Sequence, residues 1–143
     1  MPYPPEVLDH FEHPRRVGSL PASDPAVGTG FVQAPQHGDV IRLQLQVAPE
    51  GERVTDARFK AYGCGWAIAC ASLAADRMPG RSLDEVLAIG RDELARALSL
   101  PADKMHCARL AEEAVAAAVA DIRRKRAGAA APDGAGGRER EIR

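Results

Sequence analysis

Residues 39–61 read DVIRLQLQVAPEGERVTDARFKA, and the fold follows from how this stretch divides. Ile41, Leu43, Leu45 and Val47 alternate with Arg42, Gln44 and Gln46, the period of two that marks a strand with one buried face. Ala57, Phe59 and Ala61 repeat the pattern against Asp56, Arg58 and Lys60. Pro49 and Gly51 between the runs supply turn chemistry, so the two form an antiparallel hairpin. Pairing Val47 with Val54 places position 37 opposite Cys64, unless a bulge shifts the register. His37 and Asp39 are therefore expected at the same sheet end as Cys64, although a His and an Asp flanking Gly38 would alone suggest only a turn.

Outward from the hairpin, residues 5–11 are expected to form a short helix with proline in its first turn, and residues 29–33 a first strand after an irregular lead-in. Downstream the pattern becomes helical over residues 66–78, stopping at Pro79-Gly80. A second helix starts at Ser82, which forms a capping box with Glu85, and is expected to end at Gly90. A third covers residues 91–98, and the last runs over 104–126 with Asp103 as N-cap. Its stripe of Ala111, Val115, Ala118, Val119 and Ile122, extended back one turn, reaches Cys107 and puts that thiol on the core-facing side. A small antiparallel sheet covered by helices is an α+β fold, with one domain over residues 1–126. Residues 127–143, small and without periodicity, are expected to be a flexible disordered tail.

Hydrophobic residues make up 45% of the chain but aromatic ones only 4%, so Ala, Val, Leu and Ile must build the core and the single Trp66 is conspicuous. The net charge of -1 hides an asymmetry, with seven Lys/Arg against four Asp/Glu from Asp121 onward and twelve against sixteen before it. The run RRKR at residues 123–126 is expected to complement the dipole of a helix end rather than to bind nucleic acid. No run of about 18 apolar residues suggests a membrane span, and no signal peptide is evident, so the expected compartment is the cytoplasm. There, three cysteines argue against a disulfide framework and for metal binding, reactive thiols or burial.

Glycines on both sides of Cys64 leave its thiol unshielded, and a helix start is expected to lower the pKa of Cys107. Cys70, inside an Ala-rich helix, is expected to be buried and inert. One sheet end offering His37, Asp39 and Cys64 and one helix start offering His106 and Cys107 would combine N, O and S donors of the kind that zinc or an iron-sulfur cluster accepts. A cysteine-histidine hydrolase is disfavoured, because neighbours on a helix diverge by about a hundred degrees and no oxyanion loop is evident.

The segments VLDHFEHPRRVGSL, VGTGFVQAP, HGDV, DARFKAYGCG, AIA, SLDE, HC and LAEEAVAAAVADIRRKR, in this order, resemble the U-type iron-sulfur cluster assembly scaffolds, the IscU and NifU N-terminal type. The resemblance implies a sandwich of that type and a non-enzymatic scaffold. On it, sulfur from a cysteine desulfurase and iron form a [2Fe-2S] cluster that passes to acceptor proteins. It further implies that Cys64, Cys107, His106 and Asp39 bind the cluster or iron, that Cys107 accepts the sulfur, and that Lys104 lies near the site.

Two departures stand out. His37 occupies the place of the first cysteine in the family's A-P-x-C-G-D motif, here APQHGD. The chaperone motif L-P-P-V-K reads LPADK at residues 100–104, which speaks against recognition by an Hsp70-type chaperone. Neutral imidazole also binds iron and zinc, so the expected metal donors are His37, Asp39, Cys64, His106 and Cys107. The alternative function is a zinc-binding paralogue that docks the assembly machinery without building clusters.

Overall fold

A computed structural model describes residues 3–34 and 36–130. Helix α1 (Pro5–Glu12) leads through an irregular crossing into strands β1 (Val27–Ala34), β2 (Asp39–Val47) and β3 (Val54–Tyr62). These pair antiparallel in the order β1-β2-β3. Helices α2 (Gly65–Asp76), α3 (Leu83–Leu87), α4 (Arg91–Leu98) and α5 (Met105–Ala130) follow, with a 3-10 turn at Ala102–Lys104 before α5. The α+β architecture is as expected, and the alternation decides which face is inside: Ile41, Leu43, Leu45, Ala57 and Phe59 are all at most 2% exposed.

The register differs from expectation by one residue. Val47 does pair with Val54, but Gln46 pairs with Asp56, so Thr55 is an extra residue and the rest of the hairpin is shifted. Val40 consequently faces Tyr62, and His37 is not opposite Cys64 but in the turn that joins β1 to β2. That turn is closed by His37 and Gly38 N–H groups donating to the Ala34 carbonyl, with Gly38 at φ 74°.

The outer face of the sheet is not left to solvent alone. The lead-in first pairs with the free edge of β3, Gly18 N–H donating to the Phe59 carbonyl and Phe59 N–H to that of Arg16, and then crosses the face at Leu20. This crossing explains a polar residue in a buried position. Gln44, on the outward side of β2 yet 2% exposed, receives a hydrogen bond from Leu20 N–H and donates to the Leu20 carbonyl and Thr29 Oγ1.

Helix α2 is apolar all round and is buried along nearly its whole length, as such a helix must be. Sheet, α1, α4 and α5 surround it, and its Cys70 is fully buried as expected, with burial pushing that thiol up to about 12. Helix α1 is pinned to it by His10 Nδ1 and Arg15 N–H, each 2.8 Å from Ser72 Oγ. The pinning lays Tyr3 against Trp66, edge to face at 5.0 Å, at the N-terminus of α2.

Helix boundaries differ from expectation in three places. The capping box of Ser82 and Glu85 forms, but α3 ends at Leu87, because Ile89 turns into the core and Gly90 serves as N-cap of α4. Asp103 sits within the 3-10 turn, two residues before α5 begins, and so is not at its N-cap position. Helix α5 continues to Ala130, four residues into the expected tail, since Ala has the highest helix propensity and one Gly128 does not stop it. The rest of that tail, 131–143, lies outside the described residues. The basic run is therefore not at the helix end, and its cations act as clamps. Lys125 Nζ donates to the carbonyls of Ala22, Asp24 and Val27, Arg126 to those of Ala48 and Gly51, and Arg123 pairs with Asp84 and Glu52.

Candidate metal and sulfur site

Three elements bring the donors together. Asp39 begins β2, Cys64 occupies the N-cap of α2, and His106 and Cys107 lie in the first turn of α5. Cys107 faces inward on the predicted stripe and is fully buried, whereas Cys64 is partly exposed. Asp39 is 1% exposed, a strong burial for a carboxylate, and its Oδ1 accepts the Cys64 backbone N–H at 3.2 Å. Gly63 makes this approach possible. It has φ 140°, and a Cβ on it would lie 2.1 Å from Asp39 Oδ1, so any side chain would displace the carboxylate.

The distances are those of a donor cluster. Cys64 Sγ is 3.8 Å from Cys107 Sγ, and Cys107 Sγ is 4.0 Å from Asp39 Oδ2. His106 Nε2 stands 3.5 Å from both Asp39 Oδ2 and Cys107 Sγ. Donors held at about 2.0–2.3 Å around a tetrahedral ion lie roughly 3.3–3.8 Å apart, close to the 3.5–4.0 Å spacing among Asp39, His106 and Cys107, whereas Cys64 stands near Cys107 but outside that three-donor group. Among the described residues, Asp39, His106 and Cys107 form the metal-donor group whose ligand atoms are all within 4.8 Å of one another. His37 is outside this group: its side chain is exposed and its ring stacks on that of His106, with centroids 3.8 Å apart and planes 16° from parallel. Lys104 is in the 3-10 turn before α5, and among the described residues no hydrogen bond or ion pair joins its side chain to the donors.

Two expectations about the thiols change. Helix geometry had suggested that His106 diverges from Cys107, yet the imidazole folds back to 3.5 Å from the sulfur. The lowered pKa belongs to Cys64, not Cys107. The hydrogen bond from Cys107 stabilises the Cys64 thiolate and brings it down to about 6, against a smaller opposing effect of burial. Cys107 is pushed up, first because it holds the shared proton for Cys64 and next by burial. The helix dipole loses to a nearer effect, since two thiolates and a carboxylate in one half-buried pocket cannot all be charged at once.

In the metal-free protein, iodoacetamide is thus expected to modify Cys64 first. A lowered pKa means thiolate above it, so the rate should climb as pH rises through about 6 and be nearly level by pH 8. Peptide mapping that finds Cys107 modified first, or a rate still climbing steeply above pH 8, would refute this assignment.

Sequence reasoning missed the stack of His37 on His106 and the Tyr3 contact with Trp66. No local pattern signals either, because both join residues more than sixty positions apart.

Fold and site together define a small α+β domain that presents a mixed sulfur, nitrogen and oxygen donor cluster at one end of its sheet. The chain belongs to the NifU-like N-terminal domain family, whose model matches residues 2–129. It is 52% identical over 126 residues to the iron-sulfur cluster assembly scaffold protein IscU of Azotobacter vinelandii, covering 88% of this chain and 98% of that protein. Identity to iron-sulfur cluster assembly protein 1 of Arabidopsis thaliana is 48% over 124 residues, which is 87% of this chain and 74% of that one. The crystal structure of a NifU-like N-terminal protein from Brucella abortus superposes with a TM-score of 0.57 at 21% identity, over 87% of this chain and 94% of that one, and bears on the fold alone. Among the described residues no helix is long and apolar enough to cross a membrane.

Proposed function

We propose that this protein is an iron-sulfur cluster assembly scaffold, holding iron or a [2Fe-2S] cluster as cargo on Cys64, Cys107, His106 and Asp39. One observation carries the reading: two thiols, an imidazole and a carboxylate from three separate elements each lie within 3.5–4.0 Å of at least one other in a chain of this family. Sulfur is accepted from a cysteine desulfurase at Cys107. The Cys107 thiolate attacks the outer sulfur of the desulfurase's persulfide, breaking that S–S bond and releasing the desulfurase cysteine as thiolate, and His106 Nε2, 3.5 Å away, is the base placed to take the Cys107 proton. Asp39 is the hardest donor of the four and binds soft iron-sulfur cargo least tightly, which suits release to acceptor proteins. No turnover of the protein's own is assigned, and the reducing cytoplasm is the compartment that keeps its three thiols free. Anaerobic reconstitution with ferrous iron, cysteine and a desulfurase tests the reading. Visible cluster absorption with bound iron and sulfide is expected, and neither iron nor cluster bands would sink it.

A second reading has an observation in its favour, because Asp39, His106 and Cys107 already lie close to the spacing of three donors on one zinc ion. In it the domain is a zinc-binding partner of the assembly machinery. Zinc in freshly purified protein that resists exchange by iron and sulfide would favour this over the scaffold.

A further inference from the structure

His37 stands at the site without reaching into it, and its geometry says what it can do. An imidazole binds a metal along a nitrogen lone pair, so the ion lies in the ring plane. An ion on His106 Nε2 therefore lies in the plane of His106. The plane of His37 runs nearly parallel, 16° off, with the centroids 3.8 Å apart. Two such planes intersect only far beyond the ~2.0–2.1 Å of an imidazole-metal bond, so both rings cannot serve one ion while stacked.

The stack covers a gap in the support of His106. A metal-binding histidine is ordinarily held by a hydrogen bond from its second ring nitrogen, which fixes the ring's orientation. Here Nε2 faces Asp39 Oδ2 and Cys107 Sγ, both at 3.5 Å, and among the described residues nothing hydrogen-bonds Nδ1. What does hold the ring is the exposed face of His37, carried on a turn whose backbone is itself tied down by the two N–H groups on the Ala34 carbonyl.

We infer that His37 is a positioning residue that orients His106 by stacking, not a fifth metal donor. The inference rests on the reading that Asp39, Cys64, His106 and Cys107 hold the cargo. It requires of residue 37 a flat ring, and no lone pair.

Three variants separate ring from donor: His37→Phe keeps a ring without a donor, His37→Asp a donor without a ring, and His37→Ala neither. Each is titrated anaerobically with cobalt(II) alone, reading affinity and the ligand-field and thiolate charge-transfer bands, with thermal melting as a check that the exposed substitution leaves the fold intact. His37→Phe is expected to stay within about threefold of the parent with unchanged bands, whereas Ala and Asp should both weaken binding by roughly tenfold, the loss typical when a ligand's support is removed. The inference is overturned if Asp retains parental affinity while Phe loses it, if the ligand-field bands of Phe shift to a lower donor number, or if Ala equals the parent. A parent that binds no cobalt, or lacks thiolate charge-transfer bands, would instead sink the donor assignment and this inference with it.

Discussion

Cys107→Ser is expected to abolish cluster assembly while leaving the domain folded. The thiol is fully buried among small residues of α5 and the donor cluster, so serine, which is close in shape, fits without strain, and its hydroxyl has Asp39 Oδ2 as an acceptor where the thiol lies 4.0 Å from it. The cost in stability should be about 1 kcal/mol or less. The chemical loss is complete, because an alcohol at neutral pH neither attacks a persulfide nor replaces a thiolate as ligand. Cys64→Ser removes a proposed donor but leaves the proposed sulfur acceptor. After incubation with desulfurase and cysteine, mass spectrometry should find an added sulfur on Cys107 in Cys64→Ser and none at the site in Cys107→Ser, with cluster bands missing from both. A persulfide on Cys64 together with normal bands in Cys107→Ser would overturn the assignment of the acceptor.

Gly30→Val should be the most damaging single change to the fold. Helix α5 lies so close to β1 that a Cβ on Gly30 would sit 2.2 Å from the Ala114 carbonyl oxygen and 2.7 Å from Ala118 N. The same holds at Gly28, whose Cβ would be 2.3 Å from the Ala118 carbonyl oxygen. Both clashes are with helix backbone, so no side-chain rotation relieves them and the helix has to move. Overpacking of this kind costs about 1–3 kcal/mol for a single added group, and valine adds two more methyls. A fall in Tm on the order of 10 °C or more is expected, using roughly 4 °C per kcal/mol at this size. Since α5 carries His106 and Cys107, metal binding should fall with it. Gly128→Ala, on the same helix with nothing within 4 Å, is the control and should leave Tm level or slightly raised. Equal melting of Gly30→Val and the parent would refute the close-packing account.

Both predictions turn on α5, and its case shows what a sequence carries. The stripe from Cys107 to Ile122 could be read directly, because helical spacing is a local property and every stripe residue is at most 1% exposed. The hairpin alternation and the Ser82–Glu85 box were legible for the same reason. The extra residue Thr55 was not, since a bulge depends on how two strands twist together rather than on either strand alone. The early end of α3 also escaped, because it is set by the burial of Ile89 against elements from elsewhere in the chain.

The donor types were equally readable: cysteines flanked by glycine or at a helix start, and the resemblance that grouped them with Asp39 and His106. Their arrangement was not. By itself the sequence determined an α+β domain of the NifU-like N-terminal kind, the sheet end at which Asp39 meets Cys64, and the burial of Cys70. Only the tertiary structure decided that the two thiols face each other at 3.8 Å and that His37 lies flat on His106 instead of joining the donors. Charge repulsion and ring stacking act through space over a few ångströms, between groups that the chain keeps dozens of residues apart.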